Sequence, residues 1–112
     1  MIFQPTNTFW HLEQQRLGVG ITTEANAENL LIREPIVASA VTQTIEALRR
    51  YFRDQEIMIC KNTNPHNPQK IHIWVTTSKE IDPEIELLAR FDSEWWINQD
   101  PSLALKVLVR LR

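Results

Sequence analysis

KIHIWVTTSKEIDPEIELLARFDSEWWIN, residues 70–98, is the stretch on which the fold turns. It opens by alternating. Ile71, Ile73 and Val75 point one way and His72, Trp74 and Thr76 the other, the period-two pattern of a strand with one buried face. Asp82-Pro83 then starts a helix, with aspartate as cap acceptor and proline at the first helical position. Ile85, Leu88, Phe91 and Trp95 follow at helical spacing and make a stripe broad enough to cover a sheet. The helix is expected to run to about Asn98. Trp95 falls on the buried stripe, and Trp96, about 100° further round the helix, is its more exposed neighbour.

Moving outward, NTNPHNPQ (residues 62–69) is dense in turn formers and joins this strand to QEIMICK (residues 55–61) as an antiparallel hairpin. QEIMICK is apolar on both sides and is expected inside the sheet, where Cys60 reads as a small buried hydrophobe. Residues 35–53 form the strongest helix pattern, with Val37, Val41, Ile45, Leu48 and Phe52 as its stripe. Thr42, Glu46, Arg49, Arg50 and Arg53 fall on its wet side, where Glu46 can pair with Arg49 or Arg50. Arginines at that end also complement the helix dipole. Residues 23–32 make a shorter helix, capped by Thr22 or Thr23 and interrupted by Pro35. LGVGIT (residues 17–22) is either a strand or a loop. Its lone G-x-G lacks the third glycine and the context of a phosphate-binding turn. Residues 99–102 turn the chain into a closing strand, residues 103–112. Leu105, Val107, Val109 and Leu111 lie on one of its faces and Lys106, Leu108, Arg110 and Arg112 on the other.

The expected architecture is α+β. With residues 17–22 as a strand the order is βαββαβ, that of the ferredoxin-like fold. Otherwise it is a three- to four-stranded, mainly antiparallel sheet with helices packed on one face. Residues 1–112 read as a single domain, with residues 1–16 as an extended N-terminal arm anchored by Phe3, Phe9 and Trp10. A 43% hydrophobic and 23% charged composition excludes a disordered chain. No apolar run is long enough to span a membrane, and no basic leader precedes an apolar block. One cysteine, Cys60, allows no internal disulfide, so a cytoplasmic location is expected. The net charge of −2 gives no general attraction to nucleic acid or anionic lipid.

Part of the chain resembles a known group. ALRRYFRDQEIMI (residues 47–59), the alternating strand, ELLARFDSEWWINQ (residues 86–99) and the closing strand resemble a loose group of small bacterial proteins. Their shared feature is a helix ending in an R-F-D-x-E-W-W-like pattern, here Arg90 to Trp96. The resemblance covers the C-terminal half and implies the strand–helix–strand unit and a cytoplasmic location. No activity is attached to the group, so it implies no catalytic residue.

The residues themselves offer little catalytic chemistry. Asp92 and Glu94 are two apart and diverge on a helix, whereas a carboxylate pair must converge on a pocket. His11, His66 and His72 have no metal-ligand spacing, and one cysteine completes no zinc site. No catalytic, cofactor or metal residue is assigned, and no cofactor is expected. The surface most suited to function is His72, Trp74, Lys106, Leu108 and Arg110 on one sheet face, together with Trp96. Four tryptophans in so short a chain suit interfaces as well as cores. The expected function is a non-catalytic protein-interaction or self-associating module, with a homodimer or protein partner. The alternative is single-stranded nucleic-acid binding by stacking and phosphate pairing on that face, against which the net charge counts. An enzyme comes last.

Overall fold

The computed structural model describes residues 9–18, 20–62, 66, 70–76 and 81–112, with the side chains of Ile81 and Asp82 excepted. Phe3, Val19, most of the turn at residues 62–69, the lead-in at residues 77–80 and the Asp82 cap therefore lie outside the described residues. Among the described residues, four α-helices and four strands follow in the order α1 (Phe9–Leu17), β1 (Ile21–Thr23), α2 (Ala25–Arg33), α3 (Pro35–Leu48), β2 (Ile57–Lys61), β3 (Ile71–Val75), α4 (Ile81–Glu94) and β4 (Val107–Leu111). Two short 3-10 helices, Trp96–Asn98 and Pro101–Leu105, lead from α4 into β4.

The α+β class is as expected, but the sheet is mixed. Its order is β1-β2-β3-β4. Only the central hairpin β2–β3 is antiparallel, and both edge pairs, β1–β2 and β3–β4, are parallel. This corrects the expectation of a mainly antiparallel sheet. The ferredoxin-like order is not obtained either, because a split βαβ unit inserts a strand between its parallel partners and here each parallel pair is adjacent. Residues 24–56 contain two helices and residues 76–106 contain α4 and the 3-10 turns, so each path returns the chain to start a strand in the same direction.

The core lies between one sheet face and the helices. Ile57, Ile59, Ile71, Ile73, Val75 and Val107 are fully buried and face one another across the ladder, Ile57 opposite Val75 and Ile71 opposite Val107. Against them pack Trp10 of α1, Leu30 and Leu31 of α2, the full stripe Val37, Val41, Ile45 and Leu48 of α3, then Phe52 and Phe91. Thr42, placed on the wet side of α3 by spacing, is buried, because α1 covers that flank. Residues 9–16 of the expected arm lie in helix α1, which continues to Leu17. Arg16 of α1 bridges Glu13 and Glu46, so Glu46 pairs with α1 and not with its own helix.

Local chemistry sets the element ends. Gly18 and Gly20 sit at φ +86° and +82° and turn the chain sharply from α1 into β1, a region of backbone space that side chains resist. The short strand is therefore Ile21–Thr23, and Leu17 closes the helix. Glu24, not Thr22 or Thr23, stands at the start of α2, without a side-chain cap. Arg49 explains why α3 stops at Leu48 instead of reaching Arg53. Its guanidinium donates to the carbonyls of Phe52, Arg53 and Gln55 at 3.1, 3.3 and 2.6 Å and folds the chain back toward β2.

Helix α4 ends at Glu94, four residues short of the expected Asn98. Trp95 leaves helical geometry at φ −122°, and the freed carbonyls of Glu94 and Trp95 accept from Asn98 Nδ2 and Gln99 Nε2 at 3.1 and 3.0 Å. The α4 stripe is also rotated from the one read in the sequence. Ile85 is exposed, Glu84 is buried and accepts from Gln55 Nε2 at 3.2 Å, and Phe91 is the helix's fully buried anchor. Trp95 and Trp96 are both half-buried against the core, so Trp95 is not the core residue its spacing implied.

Candidate functional site

Strand alternation leaves a second sheet face, made of Thr22 on β1, Met58 and Cys60 on β2, His72 and Trp74 on β3, and Leu108 and Arg110 on β4. None of these residues belongs to the core, and each is half-buried or exposed. Among the described residues all four helices contribute to the core on the other side. The ladder sets two rows across this open face. One is Thr22, Met58, Trp74, Arg110 and the next is Cys60, His72, Leu108. Trp74 and His72 meet edge to face at 6.0 Å between ring centroids.

Charge is sorted across the face. On the β1–β2 side Glu24 lies beside Cys60, and Glu56 continues the alternation of Met58 and Cys60. On the β3–β4 side Lys70 and Arg110 lie near His72, and Arg112 reaches back to donate to Met58 Sδ at 3.1 Å. An apolar centre of Met58, Trp74 and Leu108 thus separates an acidic flank from a basic one.

Of the residues singled out in the sequence, His72, Trp74, Leu108 and Arg110 come together on this face. Trp96 joins it around the β4 edge, where it lines a cleft of about 590 Å³ with Ala89, Asp92, Ser93, Ile97, Leu108 and Val109. Lys106 does not join. It caps the second 3-10 helix at φ −105°, ψ −30°, so strand alternation starts only at Val107. Its ammonium donates to the Ser102 carbonyl at 3.3 Å and lines a separate cleft against α3 with Ile36, Ser39 and Gln43. Sequence spacing puts Arg112 on the same side as Leu108 and Arg110, but it does not single out Met58, Cys60, Glu24 or Glu56 as members of the face. The period-two contrast of Ile57 and Ile59 with Met58 and Cys60 was the signal that could have found the first two.

The face has the wrong electrostatics for nucleophilic chemistry. Cys60 stands opposite His72 in the β2–β3 register. A reactive pair needs a thiolate beside an imidazolium. Burial, and then neighbouring Glu24, push the Cys60 thiol up. Burial, and then Arg110 and Lys70, push the His72 imidazole down. Both groups are held neutral. Asp92 and Glu94 of α4 also separate. Glu94 accepts from Tyr51 Oη at 2.6 Å and pairs with Arg90 at 3.6 Å, whereas Asp92 lines the β4 cleft, where burial raises its carboxyl. His11 lies 3.8 Å from Glu28 on α2. Among the described residues no three His, Cys, Asp or Glu side chains gather at metal-binding distance, and no helix is long and apolar enough to cross a membrane.

His72 makes the face pH-sensitive. The unfolded chain takes up a proton at His72 near the ordinary value of 6.5, while the folded chain resists it. Above that range both states are neutral and His72 contributes nothing to the pH dependence. As pH falls from about 7.5 to about 5.5, stability is lost to the proton bound by the unfolded chain. Urea melts across this window are expected to show that loss, and His72→Gln to shallow it. An unchanged slope in the variant would mean that His72 protonates as readily folded as unfolded.

No family model, curated protein or solved structure matches this chain.

Proposed function

We propose that this protein is a non-catalytic binding module that self-associates through the open face of its sheet. The observation that carries the reading is the Met58–Trp74–Leu108 group: Met58 stands beside Trp74, with Leu108 diagonal to Trp74 in the next row, on a face that no described helix covers. Half-buried apolar side chains grouped on one uncovered sheet face suit association, and two-fold pairs are its commonest product. The neutral Cys60–His72 pair and the diverging acids of α4 support a module without catalysis.

Sedimentation of the full chain from about 1 to about 300 µM, spanning weak association, is the direct test. A concentration-dependent dimer is expected, and Trp74→Glu, which buries an unpaired charge at the centre of the face, is expected to leave a monomer. A wild-type monomer throughout would overturn the reading. Quenching of tryptophan fluorescence by an oligothymidylate at low salt, lost in Trp74→Ala and on adding salt, would replace it with single-strand binding.

A further inference from the structure

The sorting of charge across the open face goes further than the existence of a patch. Order across the sheet runs from acidic to basic: Glu24 by β1, Glu56 leading into β2, a middle of Met58 and Trp74 with the Arg112 guanidinium drawn back over Met58, then Lys70 leading into β3 and Arg110 on β4. Two copies of one face can meet about a two-fold axis lying in the plane between the sheets. An axis parallel to the strands lays β1 of one copy over β4 of the other. An axis across the strands lays β4 over β4. The first sets the acidic flank of each copy against the basic flank of its partner, twice over. The second stacks arginine on arginine, a like-charge contact that works against association.

We infer that the partner is a second copy of this chain, packed face to face about a two-fold axis parallel to the strands, with the Glu24–Glu56 flank of each copy set against the Lys70–Arg110 flank of the other. This rests on the open-face association proposed above and adds its orientation. Aligned packing of two sheets keeps strand directions within about 30° and the faces about 10 Å apart, which this axis permits. In this geometry Met58 and Trp74 occupy the middle, since β2 of one copy lies over β3 of the other. Thr22 of one copy faces Arg110 of its partner, with Glu24 one register step away. Four strands about 4.8 Å apart, each of about five residues, make a patch of roughly 15–20 Å on a side. A face that small belongs with weak, micromolar pairs.

The test is sedimentation of four full-length variants beside the wild type, each checked for its fold by circular dichroism. Glu24→Lys/Glu56→Lys makes both flanks basic and Lys70→Glu/Arg110→Glu makes both flanks acidic. Each alone is expected to weaken self-association by about tenfold or more, and an equimolar mixture of the two to restore it as a heterodimer. Arg110→Ala decides the axis. It removes an attraction if the axis runs along the strands and is expected to weaken the dimer several-fold, an effect reduced by salt. A tighter Arg110→Ala dimer would overturn this orientation in favour of the crossed axis. So would a mixture that stays monomeric while the wild type dimerises. Trp74→Glu separates the two failures. If it dissolves the wild-type dimer while the charge variants do not, the open face associates but this orientation is wrong. If the dimer survives it, the open-face reading and this orientation fall together.

Discussion

Trp10→Ala is expected to cost about 3–5 kcal/mol of folding stability, as the loss of a large core aromatic does. A domain of this size has about 5–15 kcal/mol in total, so the variant is expected to give up a large share of it. Trp10 is the largest fully buried side chain in the molecule and ties α1 to the core, where α1 packs on α3. Its ring is enclosed, yet its indole Nε1 is buried with no hydrogen-bond partner among the described residues. That combination gives a second, sharper expectation. Trp10→Phe loses part of the ring but also removes the unpaired N–H, whose burial costs about 1–3 kcal/mol. The phenylalanine variant is therefore expected to retain most of the stability that alanine loses. Urea melts of the two variants measure both. A loss below about 1 kcal/mol for Trp10→Ala would show that α1 detaches without consequence for the rest of the core.

Phe91→Ala is expected to have a similar effect, about 3–5 kcal/mol, and a larger one than truncating either neighbouring tryptophan. Phe91 is fully buried at the centre of an aromatic group. Tyr51 meets it edge to face at 5.9 Å, Trp95 stacks on it at 5.4 Å and Trp96 tilts against it at 6.2 Å. Removing it opens a cavity beneath the end of α4 that three partners border. Trp95 and Trp96 are each half in water already, so truncating one forfeits only the buried part of its apolar surface. The expected order of destabilisation is Phe91→Ala well above Trp95→Ala and Trp96→Ala, with the last two comparable. Denaturant melts of the three variants check the order. Equal losses for all three would mean that the rings act as one cooperative unit, whatever their separate burial.

Much of the scaffold was legible in the residues. The alternation at Ile71, Ile73 and Val75 requires a strand with one buried face whatever surrounds it, and the structure buries all three. The stripe from Val37 to Phe52 requires a helix with one buried flank, and every member of it is buried. Turn formers between two strand patterns permit only a short reversal, and β2 and β3 are the hairpin they imply. Each of these features is local. The chemistry that causes it lies within a few residues, so sequence alone determines it.

Three features needed the tertiary structure. Helix α1 was missed because a nine-residue segment with a weak apolar pattern is marginal by itself. It is held by Trp10 in the core and by the Arg16 bridge to Glu46, partners that lie on other helices. The mixed sheet was missed because alternation assigns a residue to a face but not a strand to a neighbour. The helical paths through residues 24–56 and 76–106 choose the neighbour and the direction. The charge pattern of the open face depends on both. Glu24, Lys70 and Arg110 come from distant parts of the chain, and only the β1-β2-β3-β4 order makes one flank acidic and the other basic. Local periodicity settles which side chains are buried, because burial follows from spacing along one element. Which charges meet is settled by strand order, because that depends on how the whole chain packs.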